Sequence, residues 1–240
     1  MIEGLPAYIP VVFVLTTLST VGVFIFAVSH AGLNSVPARV LIGFVSIWIL
    51  IHAALGSTSF YRNFESLPPQ VFAFGVMPFL LLTFVYLIFF RRGFLEVLPL
   101  SILTLIHVLR IPVEFVLLWL AQNGLVPYDM TFEGRNFDIL SGITAPIVYF
   151  LAFRNGQVNR TLLIAWNIAA LALLATIVTI AILAFPSRLQ MVGFDQPNVG
   201  VTYFPFIWLP TVVVPIVFFC HAVSLWKLIS RPDSLQNQPA

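Results

Sequence analysis

Arg110 and Glu114 stand four residues apart in Arg110-Ile-Pro-Val-Glu114, inside the mainly apolar 26-residue run Val97 to Gln122. An unpaired charge at the centre of a membrane helix costs about 2.5–3.5 kcal/mol on insertion scales, so two of them mark a position that function or packing must explain. At 100° per residue, Glu114 falls about 20° and Arg110 about 60° from His107, with Thr104 about 60° on the other side, which makes one polar stripe. The spacing allows Arg110 and Glu114 to pair directly. His107 lies about 10 Å along the axis from Glu114. Pro112 cannot donate to the Val108 carbonyl, which leaves a polar backbone group beside the stripe. Such a stripe suits either a buried salt bridge that fixes packing or a site for a ligand or proton.

Other segments offer groups that could face it. Trp48, His52, Gly56 and Ser59 share one face of a second apolar run, and Asp138, Ser141, Ala145 and Tyr149 share one face of a fifth. Thr211, Pro215, His221 and Ser224 stand out in the last run, and Asn167 beside Trp166 reads as interhelical glue. The segment Met130-Thr131-Phe132-Glu133-Gly134-Arg135-Asn136-Phe137-Asp138 is dense in charge for so apolar a chain. Glu133 or Asp138 can pair with Arg135, Gly134 permits a tight turn, and Asn136 or Asp138 can cap the next helix. The segment reads as a structural turn or as a lid over the Arg110/Glu114 position.

These residues belong to a membrane protein. Hydrophobic residues make up 60% of the 240 and charged residues 8%, against roughly 25% charge in soluble domains, and the mean hydropathy is +1.03. A net charge of +2 supplies no basic face for nucleic acid. Cys220 is the single cysteine, which rules out an intrachain disulfide or a cysteine-based metal cluster. The one lysine, Lys227, lies beyond His221 at the end of the last run, so no retinal Schiff base is expected. Zinc-protease, nucleophile-elbow and phosphate-loop motifs are missing from the sequence.

A bilayer core of about 30 Å needs about 20 apolar residues per helix. On that criterion the fold is all-α, a seven-helix transmembrane bundle over residues 1–230 with spans near 8–29, 40–60, 71–90, 97–122, 138–153, 161–185 and 207–229, followed by a short tail at 231–240. The fifth is the shortest, and six helices with a re-entrant fifth is the rival arrangement. With seven spans, Arg39, Arg91, Arg92, Arg154, Arg160, Lys227 and Arg231 lie on one side and Arg62, Arg135 and Arg188 on the other. The richer side is expected to be cytoplasmic, which puts the N-terminus outside and the tail inside. Met1 to Tyr8 has no basic start of a cleavable signal. The longer connections all fall on the outer side, where an entrance or lid is expected.

The order of residues from Met130 to Asp138, together with Arg110-Ile-Pro-Val-Glu114, resembles a pattern of bacterial multi-pass membrane proteins that have no assigned function. The resemblance runs over most of the chain. It implies a bacterial inner-membrane location and carries over no catalytic residue.

Four function classes remain. In the first, a polar cavity opening outward binds or transports a small anionic or zwitterionic ligand, with Arg110 holding the anion and Glu114 exchanging protons with His107 or His52. Asp138, Arg135, Glu133 and Asn136 would complete that site from the loop. The second is a cofactor protein, because His52, His107 and His221 come within about 8 Å of one another in depth on ideal helices, so two could ligate a haem or all three a metal. A membrane enzyme using Glu114 or Asp138 as acid or base is the third, and a structural subunit is the fourth. The bilayer is the one partner that composition implies, and oligomeric state is left open.

Overall fold

The structure is a computed structural model that describes residues 2–154 and 157–230, and among these no strand occurs. Seven principal helices follow one another: α1 Tyr8–Ser29, α2 Val36–Ser57, α3 Val71–Phe89, α4 Leu100–Gln122, α5 Ile139–Ala152, α6 Arg160–Leu183 and α7 Leu209–Ser230. All but α5 are long and apolar enough to cross a membrane; α5 has 14 residues. The expected spans agree with these boundaries to within a few residues. The expected tail at 231–240, with Arg231, lies outside the described residues.

The bundle has two unlike ends. Connections 58–70, 123–138 and 184–208 gather at one, the wide-loop end, and the shorter links 30–35, 90–99 and 153–159 at the other. At a short link, Asn159 stops the chain from fraying by accepting a hydrogen bond from the Leu162 amide at the start of α6. α4 and α7 are the most buried of the long helices, and between them they carry nine of the 21 buried polar residues among those described.

Prolines account for the irregular turns. α3 and α7 both open with a widened π-helical turn, Val71–Val76 and Leu209–Val213. In α7, Pro215 cannot donate to the Thr211 carbonyl, and the Trp48 indole Nε1 donates to that oxygen instead, at 2.9 Å. The two widened turns pack together, and a Cβ on Gly75 would sit 2.5 Å from Thr211 Cγ2, so this approach requires glycine. In α4, the turn before Pro112 tightens to a 3-10 helix over Ile106–Leu109. Side chains three residues apart eclipse in such a turn, which keeps His107 on the same face as Arg110.

α5 begins in the middle of the bundle. Its first residues adjoin Arg110, halfway along α4, and it runs back toward the Leu100 end of α4, where Ala145, Val148 and Ala152 cluster with Leu100, Leu163 and Trp166. Gly142 lets α5 lie almost on the α4 backbone, since a Cβ there would come 3.1 Å from the Ile111 nitrogen. The other half of this path is not helical. Residues 123–138 descend from the wide-loop end into the interior, where Val126, Met130, Thr131 and Asn136 are buried. Gly134 makes the turn possible, because a Cβ would stand 2.2 Å from the Tyr128 carbonyl oxygen.

Candidate functional site

Arg110 and Glu114 are both buried, but they are not each other's partner. Arg110 Nε donates to Asp138 Oδ2 at 2.7 Å and its Nη2 to Asp138 Oδ1, a two-pronged pair between α4 and the start of α5. Glu114 Oε2 accepts from Asn136 Nδ2 at 2.6 Å. The expected i,i+4 pair is therefore corrected: the loop presents Asp138 end-on to the guanidinium, in the fork geometry that a neighbour on the same helix face does not offer. The same segment organises itself around these contacts. Asn136 Nδ2 also donates to the Met130 carbonyl, and its Oδ1 accepts from the Asp138 amide. Asp138 does not cap α5 with its side chain, because Arg110 holds its carboxylate.

The network continues into the helix core. Arg110 Nη1 donates to His221 Nε2 at 3.3 Å, and His221 Nδ1 donates to Asn167 Oδ1 at 2.8 Å, which assigns the histidine tautomer and links α4, α7 and α6. His107 stacks on His221 with ring centroids 4.0 Å apart, and Trp166 meets its edge at 5.3 Å. Both His107 ring nitrogens are buried without a hydrogen-bond partner. Asn167 is thus the interhelical link expected of it, and it also fixes a ring of the site.

An apolar cavity of about 260 Å³ reaches these charges. Its walls come from α3, α4, α6 and α7, including Val76, Leu117, Val178 and Val213, and Arg110, Glu114 and Asp138 form its polar floor. Phe72 and Phe185, with ring centroids 5.9 Å apart, cover its wide-loop end. α3 and α6 each pack on α7 and face one another across the cavity, where Met77 is 52% exposed and Val178 half-buried. The gap therefore opens sideways, toward the surface that meets lipid. Asn198 lines the cavity as well; its Nδ2 donates to the Ala181 carbonyl, and its buried Oδ1 has no hydrogen-bond partner.

The remaining expected site residues separate into two groups. Asp138 and Asn136 join the site, whereas Glu133 and Arg135 are exposed, and Arg135 pairs with Asp129 at 3.5 Å instead of Glu133 or Asp138. The turn is a buttress with its charged crest in solvent, and no lid of Glu133 and Arg135 covers Arg110. His52 is also elsewhere. It contacts Trp48 at 4.3 Å between centroids and accepts a hydrogen bond from Tyr61 at 2.5 Å. Burial raises the Tyr61 phenol above its ordinary pKa, so the phenol is neutral and donates.

This arrangement does not suit the proposed histidine ligand sets. His107 and His221 lie face to face, so their nitrogens do not converge on one ion, and His52 belongs to a different cluster. Among the described residues, no group of three His, Cys, Asp or Glu side chains is placed to hold a metal. A bis-histidine haem needs the two rings on opposite faces of the porphyrin, which stacked rings cannot provide.

Sequence reasoning missed the cavity and Asn198. The walls are Val, Leu, Ile and Phe, which in sequence look the same whether they pack against protein or line a space. Only Asn198, a polar side chain at the foot of α7, gave a signal, and its surroundings of Asp195, Gln196 and Pro197 read as an ordinary loop.

The fold and site define a polytopic α-helical membrane protein with an internally paired arginine at the floor of an apolar side cleft. The chain belongs to the family described as Domain of unknown function (DUF8737), whose model matches residues 67–229. That match holds α3 to α7 and with them every residue of the cavity. Neither a curated protein nor a solved structure matches the chain.

Proposed function

We propose that the protein binds a compact amphiphile, taken up from the bilayer between α3 and α6, with its hydrocarbon part in the apolar cavity and its polar end at Arg110, Glu114 and Asp138. The observation that carries this reading is a space of about 260 Å³ with hydrocarbon walls ending on three buried ionisable side chains. A packing salt bridge alone calls for no such space, because interiors close around paired charges at crystal-like density. The volume lies near the lower edge of small-molecule sites, about 300–1,000 Å³, so it fits a short amphiphile or one end of a longer chain. A purely anionic ligand fits less well than the sequence suggested, since Asp138 already occupies the fork of Arg110.

The orientation belongs to the same reading. The segment 123–152 crosses as an inward loop followed by the half-length α5, which gives seven crossings, an outer N-terminus and a wide-loop end that faces outward. The unequal distribution of Arg and Lys supports it, and the sequence resemblance favours a bacterial inner membrane. Reporters fused after Ser230 are expected to read cytoplasmic and reporters inserted after Val192 external. The opposite pattern overturns the orientation.

The binding reading is tested by purifying the protein in lipid nanodiscs, extracting the small amphiphiles that accompany it and identifying them by mass spectrometry. Val178→Trp, which places an indole in the side opening, is expected to lose the accompanying species while the protein still melts cooperatively. An identical extract from wild type and variant overturns the reading.

A further inference from the structure

We infer that the cavity selects a head group that donates hydrogen bonds and bears no negative charge, an alcohol or an ammonium on a hydrocarbon chain; this rests on the binding reading above. Charge bookkeeping at the floor points that way. Arg110 is the only cation among the lining residues, against the two carboxylates Glu114 and Asp138. Asp138 takes Nε and one hydrogen of Nη2 of that guanidinium, and His221 one hydrogen of Nη1, so an entering anion would have to share the cation with Asp138. Glu114 has no cation within ion-pair distance among the described residues; its Oε2 accepts from the neutral Asn136 amide, and its Oε1 accepts no bond there.

Asn198 supplies a second, independent sign. Its amide nitrogen is spent on the Ala181 carbonyl, which leaves the buried Oδ1 without a donor on a residue that lines the same cavity. Glu114 and Asn198 thus each bring to the cavity lining a side-chain oxygen that accepts no hydrogen bond among the described residues. A carboxylate or phosphate head would bring a third set of acceptors and a further negative charge beside Glu114 and Asp138. A hydroxyl can exchange a hydrogen bond with the Glu114 carboxyl, and an ammonium can pair with its ionised form. The site thus reverses the polarity that a lone buried arginine suggests.

The test uses the full chain in phosphatidylcholine nanodiscs at neutral pH, with radiolabelled decanol as the bound probe and unlabelled decanol, decylamine and decanoate as competitors. Decanol and decylamine are expected to compete at concentrations at least about tenfold lower than decanoate. Glu114→Gln is expected to weaken decylamine more than decanol, because the neutral amide offers an ammonium no charge, whereas a hydroxyl can still accept a hydrogen bond from the glutamine NH2. Val178→Trp should weaken all three. If decanoate competes as well as the other two while Val178→Trp still weakens binding, the head-group inference is overturned and the binding reading stands. If the probe does not bind, or binds wild type and Val178→Trp equally, the binding reading falls and takes this inference with it.

Discussion

Arg110 and Lys227 are both buried cations in long apolar helices, yet their surroundings have little in common. Arg110 sits halfway along α4, held by a carboxylate from another segment, hydrogen-bonded to a histidine and exposed to a cavity. Lys227 lies in the last turn of α7, donates to the Leu98 carbonyl, and is absent from that cavity's walls. Close by, Arg160 Nε donates to the Leu228 carbonyl at 2.6 Å. Arg160 caps a carbonyl in the last turn of α7, where helical donors are lacking and the helix dipole favours positive charge, while Lys227 ties that same turn to the link before α4. A buried charge alone does not mark a functional site. The binding proposed at Arg110 rests on the combination of a carboxylate partner, a second buried acid and an adjoining space.

Removing the carboxylate should break the Arg110 side of this contrast most severely. Asp138→Leu strands the guanidinium, and breaking a buried pair this way costs about 3–5 kcal/mol; Arg110→Met with Asp138→Leu should recover most of that loss in an unfolding measurement in lipid. Additive losses would mean that the two residues act independently. Gly134→Ala is expected to cost less, about 1–3 kcal/mol, by pushing a methyl group into the Tyr128 carbonyl and displacing the turn that delivers Asn136 and Asp138. Its melting curve should shift together with amphiphile binding, and a loss of stability that leaves binding intact would uncouple the turn from the site.

Lys227→Met tests the other side. Leaving the Leu98 carbonyl without its donor costs about 1–2 kcal/mol, and binding of decanol should not change. A loss as large as that of Asp138→Leu, or a loss of ligand, would erase the distinction between the two cations. Glu114→Gln is expected to change stability least, by about 0.5–1 kcal/mol, since Asn136 can donate to the amide oxygen as it does to the carboxylate. A loss of several kcal/mol would place Glu114 in the structural network with Arg110.

The sequence revealed the helices because apolar runs of about 20 residues have few alternatives, and it exposed Arg110, Glu114 and His107 because polar residues inside such runs are costly. The partners were harder to read. Glu114 was the obvious mate for Arg110 by helical spacing, whereas Asp138 is 28 residues away and becomes available only because 123–138 folds inward. Nothing in the composition of Met130 to Asp138 announces that path: Glu133, Arg135, Asn136 and Asp138 all suggest a wet loop, and two of the four are buried. His107 keeps to the face of Arg110, but its contact there, the ring of His221 on the last helix, was not legible from spacing within α4.

The distance along the chain between Arg110 and its carboxylate has a consequence for how the protein is made. At about 5–20 residues per second, a ribosome needs about 1–6 seconds to reach Asp138 after adding Arg110. Through that interval the guanidinium lacks its native partner and has only Glu114, on its own helix, for a counter-ion, and α6 and α7, which supply Asn167 and His221, are not yet synthesised. α4 is therefore expected to settle into its final position only after the following segment arrives with Asp138. Biogenesis of this chain is expected to depend on that order of arrival in a way that the apolar α1 and α2 do not.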